Sequence, residues 1–213
     1  MSVKVYGVPG SPYLRAVLVG LEEKGAAYEL VPIRGPESKQ PEHLARHPFG
    51  RVPAFAHDGF SLYETQAILR YIDGAFAGAA LRPSAPKELA RMDQLVGICD
   101  WYLFPQVGVT IAFQRIVKPL LMGGAPDEEI IAKAIPNAER CFAVIAGFLH
   151  APFLAGAQLS IADIMVACHM NMLVATPECA AIIAKHPALR DWLARMEARP
   201  SFQKTDLFPR KAA

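Results

Sequence analysis

Three hydroxyl side chains near the start of the chain could take part in chemistry: Tyr6, Ser11 and Tyr13. Ser11 comes after the first predicted strand, residues 3–8, and is followed by Pro12, a residue suited to the first turn of a helix. The free N–H groups of a helix N-terminus favour an anion, and a hydroxyl there can accept from them or donate its own proton. From these residues alone, a helix cap is the favoured role for Ser11. Residue alternation along the strand leaves the role of Tyr6 open.

A second group of candidate residues surrounds a predicted β-hairpin. Residues 46–55 read Arg-His-Pro-Phe-Gly-Arg-Val-Pro-Ala-Phe, and a strand is predicted to start at Val52-Pro53. Asp58-Gly59 predicts a two-residue turn, because that turn needs positive φ at both central positions, and a helix is predicted to begin near Glu64. A cis bond before Pro53 would let the backbone of Val52 pair with an extended peptide. Only about 5–6% of X–Pro bonds are cis, so these residues alone favour the trans form.

These residues resemble the glutathione S-transferase family, and in particular its serine-using phi-type branch. The family has Arg-Asn-Pro-Phe-Gly-Gln-Val-Pro-Ala-Phe where this chain has residues 46–55, and Phe-Glu-Ser where it has Tyr63-Glu64-Thr65. The family pattern Ser-x-x-x-Arg-x-Val corresponds to Ser11, Arg15 and Val17. At two positions the chain carries Arg instead of Gln and Thr instead of Ser, and both can still donate a hydrogen bond.

The resemblance implies that the first domain binds glutathione as a co-substrate. It implies that Pro53 is preceded by a cis bond and that the backbone of Val52 pairs with the cysteinyl part of glutathione. It also implies that Glu64 and Thr65 hold the γ-glutamyl end. The chemistry to be performed is then the formation of a thiolate near neutral pH, since a free thiol has a pKa of about 8.5 and only its thiolate is a good nucleophile.

The resemblance also changes the interpretation of Ser11, which becomes the hydroxyl that donates to the glutathione sulfur and keeps it ionised. Tyr6 and Tyr13 stay open as alternative donors, because other branches of the family use a tyrosine at the end of the first strand. Two cations are candidates for the glycine carboxylate. Lys39 lies on the polar loop that reaches this group in the family, and Arg51 carries a guanidinium suited to a carboxylate.

The order of the predicted elements indicates two domains. A β-α-β unit followed by β-β-α predicts an α/β thioredoxin-like N-terminal domain over residues 1–78. A segment rich in Gly, Ala and Pro predicts a linker, and residues 87–213 are predicted to form an all-α C-terminal domain, which completes the architecture of the resembled family. Its first long helix should bend at Pro105. Ser160 and Asp163 predict a capping box with a purely structural role.

The helical domain is expected to supply the site for a second substrate, a hydrophobic electrophile. Candidate lining residues are Tyr102, Phe104, Phe113 and Met122, although a place in the core is favoured for any one of them. Phe49 resembles the aromatic residue by which some family members lock into a partner subunit. Because an exposed Phe on this loop would be unfavourable in a monomer, we expect a homodimer.

Composition argues against several other classes of function. The 213 residues carry a net charge of +2 with no basic run, so no nucleic-acid partner is expected. We find no apolar run of the roughly 18 residues that span a bilayer and no signal peptide, and we therefore expect a cytoplasmic protein without a membrane partner. The histidines and cysteines lack metal-ligand spacing, so no metal is expected. The first cysteine is Cys99, which argues against thiol–disulfide chemistry in the first domain.

Three functions fit this pattern. The first is a glutathione transferase that conjugates the glutathione thiolate to a hydrophobic electrophile, in detoxification. The second is a binding or scaffold module with the same fold and no turnover. The third is a glutathione-dependent peroxidase, isomerase or dehalogenase, which would share the thiolate and differ in the pocket. The presence of Ser11, Val52-Pro53 and Glu64-Thr65 favours catalysis, because a scaffold would not need them.

Overall fold

The computed structural model describes residues 2–206, and the chain divides into two compact units. One unit holds the residues up to Arg82 together with those from Ala198 on, and the other holds Pro83–Glu197. The sequence predicts a helical domain that covers all of residues 87–213. The structure instead groups the end of the described chain with the first unit, because a short terminal helix packs there.

A four-stranded sheet organises the first unit, in the order β2-β1-β3-β4. Strand β1 (Val3–Gly7) pairs in parallel with β2 (Glu29–Pro32) and antiparallel with β3 (Ala54–His57), which pairs antiparallel with β4 (Phe60–Tyr63). The turn between β3 and β4 has positive φ at both Asp58 (47°) and Gly59 (88°), as the Asp-Gly pair predicts. This mixed sheet, joined to a helical unit, confirms the predicted fold class.

Two helices and one face of the sheet form the core of the first unit. Val3 and Val5 of β1 are buried in it, and Tyr6, which follows in the alternation, points to the other face. Helices α1 (Pro12–Glu23) and α3 (Thr65–Ala75) supply most of the apolar side chains that pack on these valines. Because this packing fixes both helices on the sheet, it also fixes the positions at which they begin.

The other face of the sheet carries less regular structure. A 3₁₀ turn at Gly35–Lys39 leads into the four-residue helix α2 (Pro41–Leu44), which starts with a proline at its first position. The chain after α2 runs back to the sheet through residues 45–53. This connection contains most of the segment that carries the family resemblance.

A buried ion pair fastens the predicted linker to the first unit. The Nζ atom of Lys24 lies 3.3 Å from Oδ1 of Asp73 and donates to the carbonyl of Ala79 at 3.0 Å. The carboxylate of Asp73 also accepts from the N–H of Leu81 at 2.7 Å and from Nε of Arg82 at 2.8 Å. Burial alone would raise the pKa of Asp73, but these hydrogen bonds hold it below its usual value.

The last described helix, α10 (Pro200–Lys204), packs on α1. A guanidinium N–H of Arg15 donates to the carbonyl of Phe202 at 2.9 Å, and the guanidinium of Arg199 forms two hydrogen bonds of 2.8 Å with the carboxylate of Glu23. Paired guanidinium–carboxylate bonds of this kind are the more specific ion pairs in proteins. These contacts explain why the end of the described chain belongs to the first unit.

The second unit is helical throughout. It contains α4 (Pro86–Ile98), a π-helical stretch (Cys99–Val117), α5 (Lys118–Leu121), α6 (Glu128–Ala146), α7 (Ile161–Leu173), α8 (Pro177–Ala184) and α9 (Pro187–Glu197). The sequence analysis expected an α-helix with a bend at Pro105. The structure has wide π-helical turns over the whole stretch that contains this proline, and proline disrupts the regular α-helical hydrogen bonds that such turns replace.

One helical stretch among the described residues is long and apolar enough to meet the simplest criterion for a membrane span. It covers Pro86–Leu121, and its most apolar 18-residue window has a mean hydropathy of 1.3. The expectation that no such run exists was therefore wrong. The stretch also carries the fully buried side chains Leu95, Leu103, Val107 and Ile111, so packing within the helical unit accounts for its apolar composition.

The carboxylate of Asp163 ties together three parts of the helical unit. It accepts from the N–H and the hydroxyl of Ser160, at 3.0 and 2.6 Å, just before α7. It also accepts from the N–H of Leu154 at 2.8 Å and from the indole N–H of Trp192, in α9, at 3.1 Å. Burial raises the pKa of Asp163, and the hydrogen bonds act in the opposite direction. The carboxylate therefore does more than cap a helix.

Candidate functional site

Strand pairing collects the predicted site residues at one end of the sheet. Ala54, at the start of β3, pairs with Tyr6 near the end of β1 and with Tyr63 at the end of β4. Because β3 runs antiparallel to both neighbours, the last residues of β1 and β4 and the first residue of β3 lie at the same end of the sheet. The predicted site residues next to these three strand ends are Ser11, Val52, Pro53, Glu64 and Thr65.

Ser11 is the N-cap residue of α1. Its backbone is extended, with φ −66° and ψ 125°, and its Oγ accepts from the N–H of Leu14 at 3.4 Å. Pro12 occupies the first helical position, as the sequence predicts. The capping bond uses an oxygen lone pair and leaves the hydroxyl proton available for a ligand. Ser11 is half-buried, so the geometry is compatible with a cap and with a donor to a bound anion.

The two alternative hydroxyls belong to a strand residue and a helix residue, Tyr6 of β1 and Tyr13 of α1. Tyr6 is half-buried on the sheet face away from the core, and its ring lies under the guanidinium of Arg46, 4.3 Å from the ring centroid. Arg46 also donates to the carboxylate of Glu42 at 2.7 Å. Tyr13 is half-buried in the first turn of α1. The cation–π contact of Tyr6 joins residues forty positions apart, and no local sequence pattern indicated it.

Val52 and Pro53 lie directly before β3, and the peptide bond between them is cis, as the resemblance implied. The strand ladder begins only at the next residue, Ala54, so Val52 stands just outside it. Its side chain is half-buried, and Pro53 is buried. The backbone groups of Val52 thus lie at this end of the sheet, just outside the strand ladder.

Glu64 precedes α3 in an unusual backbone conformation. Its φ of 70° is on the side of the φ/ψ map that L-residues rarely adopt, with a typical cost of about 1–3 kcal/mol. The side chain is exposed and makes no capping bond to its own helix. Thr65, the next residue, is buried. The strained residue therefore carries an exposed carboxylate at the start of α3, and the sequence carried no sign of this strain.

Lys39 acts as a clamp on the loop before β3. Its Nζ donates to the carbonyl of Gly50 at 3.0 Å and to that of Phe49 at 3.4 Å. Gly50 has φ 59°, and a Cβ atom there would approach Nζ of Lys39 and the carbonyl of Ser38 to 2.9 Å. An ammonium has three N–H bonds, so one of them is left for a carboxylate. From the sequence, Lys39 is interpreted either as a solvated lysine or as a ligand for a carboxylate, and the clamp is not foreseen.

Arg51 is exposed, and its backbone is anchored from α2. Its carbonyl lies 2.7 Å from Nε2 of the buried residue His43, and since a carbonyl only accepts, Nε2 carries the proton. This bond and the Lys39 clamp hold both sides of the loop that leads to Val52. The guanidinium is thus carried by a fixed backbone at the mouth of the site.

His47 is a buried residue beside the predicted site residues, and it is not one of those that the sequence predicts. It is 2% exposed, and its ring lies 4.9 Å from that of Tyr63 and 6.3 Å from that of Phe49, between centroids. Burial lowers the pKa of His47 most, and Glu64 acts to raise it. His47 stands where the resembled segment has Asn, which was the one sequence signal that could have marked it.

The other predictions concern metals, cysteines and apolar residues. Among residues 2–206, no group of three or more His, Cys, Asp and Glu side chains is arranged to hold a metal ion. All four cysteines are buried free thiols. Of the candidate lining residues, two are exposed and two half-buried in the helical unit: Tyr102, Met122, Phe104 and Phe113. Phe49 is 66% exposed, with its ring 6.3 Å from that of Tyr63.

Comparison with known protein families gives two matches along the chain. Residues 1–74 match the family described as "Glutathione S-transferase, N-terminal domain". Residues 128–195 match the family described as "Glutathione S-transferase, C-terminal domain". The first match contains all the predicted glutathione-site residues, and the second contains the Ser160–Asp163 box.

Individual relatives match over nearly their full length. Glutathione S-transferase 3 of Zea mays is 34% identical over 208 residues, which cover 95% of this chain and 92% of the relative. The crystal structure of glutathione transferase F7 from Populus trichocarpa is 31% identical, with a TM-score of 0.86, and the match covers 95% of this chain and 97% of that one. A structure of glutathione S-transferase-I bound with lactoylglutathione is 31% identical, with a TM-score of 0.86 and coverage of 97% and 99%.

Proposed function

The chain belongs to the glutathione S-transferase family, and on this premise we propose that it conjugates the thiolate of glutathione to a hydrophobic electrophile. The observation that carries the proposal is the collection of Ser11, Val52 and Glu64 at one end of the sheet. These groups are the ones that a γ-glutamyl tripeptide with an ionised sulfur requires. A relative of the same length and fold is known with a glutathione conjugate bound.

We assign each part of glutathione to a group in the first unit. The backbone of Val52 pairs with the cysteinyl part, and Glu64 and Thr65 hold the γ-glutamyl end. Lys39 or Arg51 binds the glycine carboxylate. These assignments are supported by the position of Val52 outside the strand ladder and by the exposed carboxylate of Glu64 at a helix start.

Ser11 donates its proton to the sulfur in this proposal. A hydrogen bond to a charged group contributes about 1.5–3 kcal/mol, which corresponds to about one to two pKa units for the bound thiol. The capping bond from Leu14 supports the assignment, because it turns the oxygen lone pair toward the helix and leaves the proton on the other side. The N-terminus of α1 adds a favourable field for the thiolate.

Substitution of Ser11 tests this assignment. We expect Ser11→Ala to raise the pKa of the bound thiol by about one to two units and to leave the glutathione KM at high pH little changed. The thiol pKa is read from the pH profile of kcat/KM for the electrophile at saturating glutathione. Ser84→Ala, an exposed serine outside the site, is the matched control. A full-rate Ser11→Ala enzyme together with an inactive Tyr6→Phe or Tyr13→Phe enzyme would move the role to a tyrosine.

We also propose that the helical unit supplies the electrophile site and that the protein acts as a cytoplasmic homodimer in detoxification. Exposure of the large apolar side chain of Phe49 supports a subunit contact there. Light scattering of the wild type should give a dimer, and Phe49→Ser should shift it toward the monomer. A monomeric wild type would contradict the contact assigned to Phe49.

The second candidate function is a binding module that keeps the glutathione site without turnover. Retention on immobilised glutathione followed by a conjugation assay with a chloronitroarene separates the two. We expect retention and turnover. Retention without turnover, with peroxide and isomerase substrates also inactive, would favour the binding module. A folded protein that is not retained would contradict the proposed function.

A further inference from the structure

His47 lies behind the γ-glutamyl end of the proposed site. Its ring is enclosed by that of Tyr63 at 4.9 Å, that of Phe49 at 6.3 Å and that of His43 at 6.4 Å, measured between centroids. Its Nδ1 atom is buried and has no hydrogen-bond partner among residues 2–206. A buried polar atom without a partner is uncommon in a folded protein and calls for a physical explanation.

Charged and titratable groups face this ring from four neighbouring elements. Glu64 lies at the start of α3, directly after Tyr63 of β4, and His43 is in α2, while Arg51 belongs to the loop before β3. Burial lowers the pKa of His47, Glu64 raises it, and His43 and Arg51 lower it. The ring is therefore uncharged at neutral pH, and Glu64 is the one carboxylate among these neighbours that a protonated ring would attract.

We propose that His47 is a positioning residue for Glu64, and that a proton taken up by His47 draws the Glu64 carboxylate away from glutathione and weakens its binding. This inference rests on the proposed function, because it assumes that Glu64 holds the γ-glutamyl ammonium. The added proton resides on the unpartnered ring nitrogen. The exposed carboxylate of Glu64 then has two cations to pair with, the protonated His47 ring and the γ-glutamyl ammonium of the ligand.

The acidic pH range is suited to a test with S-methylglutathione, which lacks the thiol that the proposed site ionises near neutral pH. The carboxyl groups of this ligand titrate below about pH 4, and its amino group titrates near pH 8 or above. A change in affinity between about pH 5 and about pH 7.5 thus reports on protein groups. For a single titrating group, proton linkage allows Kd to fall by at most tenfold for each unit by which the pH rises.

Calorimetric titration of the wild type with S-methylglutathione gives the primary readout. We expect Kd to rise from pH 7.5 to pH 5.5 by up to about tenfold, which is the limit that linkage sets for a single group whose pKa lies below the ordinary value of about 6.5. His47→Asn, which keeps a polar side chain and removes the titration, should have a nearly constant Kd. His57→Asn is the matched control. Because the His57 ring bonds to the hydroxyl of Tyr71, this variant should keep the wild-type dependence of Kd on pH.

A second measurement needs no substitution. By thermodynamic linkage, a ligand that binds more tightly when the His47 ring is uncharged must lower the pKa of that ring. The NMR titration of the His47 ring in the wild type should therefore show a lower pKa with S-methylglutathione bound than without it. An unchanged or raised pKa overturns the proposal, and so does a His47→Asn protein that keeps the wild-type pH dependence. A protein that fails to bind glutathione at pH 7.5 overturns the proposed function instead, so the two failures are distinguishable.

Discussion

The carboxylate of Asp163 offers the strongest test of how the helical unit is held together. It is 0% exposed and accepts four hydrogen bonds of 2.6–3.1 Å, from the Leu154 N–H, from the N–H and hydroxyl of Ser160, and from the indole of Trp192. In Asp163→Ala the two backbone N–H groups and the indole N–H lose their acceptor inside the protein. Each such buried donor costs about 1–3 kcal/mol.

The expected loss is smaller than the sum of these terms. Removing the side chain also removes the unfavourable burial of a carboxylate, which is the effect that raises its pKa. We therefore expect Asp163→Ala to lower the free energy of unfolding by about 3–5 kcal/mol. A cap alone would give about 1 kcal/mol. The excess over the cap value measures the tie to α9 and to the loop at Leu154.

Urea unfolding followed by tryptophan fluorescence and far-UV circular dichroism measures this loss. Trp192 donates directly to Asp163, and Trp101, the other tryptophan, is 76% exposed, so Trp101→Phe isolates the Trp192 signal at little cost. Ser160→Ala removes fewer bonds and should cost about 1 kcal/mol. Asp191→Asn, an exposed position in α9, should be neutral within about 0.5 kcal/mol. A free energy of unfolding for Asp163→Ala within about 1 kcal/mol of the wild type would refute this role of the carboxylate.

Three further predictions concern the first unit. Because the pKa of Asp73 is lowered in the folded state, its ionised form stabilises the protein above its unfolded-state pKa of about 4. This stabilisation is lost as the pH falls through the lower folded-state pKa. Asp73→Asn should therefore lower the free energy of unfolding at neutral pH and make it depend less on pH in the acidic range. Gly50→Ala should cost more stability in thermal unfolding than Gly59→Ala, because both have positive φ but only the first meets atoms, at 2.9 Å. Arg15→Ala should cost about 1–3 kcal/mol in urea unfolding through the lost bond to Phe202, and an unchanged midpoint would contradict that role.

Local chemistry made part of this site predictable from the sequence. The Asp58-Gly59 turn follows from the need for positive φ at two positions, and the Ser11 cap follows from a hydroxyl directly before Pro12. The residues alone favoured a trans bond before Pro53, and only the family resemblance indicated the cis form that the structure has. The family resemblance thus predicted a cis bond that the general preference of X–Pro bonds does not.

Contacts between distant segments were the part that the sequence did not reveal. Lys39 was considered as a ligand for a carboxylate, and the structure uses it first to clamp the loop at Gly50. Arg46 stacks on Tyr6 across forty residues, and Glu64 is held at φ 70° by the hairpin and helix around it. Each of these arrangements depends on how the loop after α2 packs against the sheet end. Local propensity carries no information on that packing.

The geometry at this end of the sheet explains why the chain departs from the family pattern in the charge of its side chains more than in the shape of its backbone. The backbone groups that would meet glutathione are set by strand register and helix starts, which depend on the buried core and tolerate little change. The side chains around them are free to differ, and the chain differs there at Arg51 and His47, where the resembled segment has uncharged amides. One change adds a permanent cation next to Val52, and the other adds a titratable ring near Glu64. If the proposed roles hold, variation at these two positions changes how strongly glutathione binds, and at which pH, while the fold that presents Ser11 stays the same.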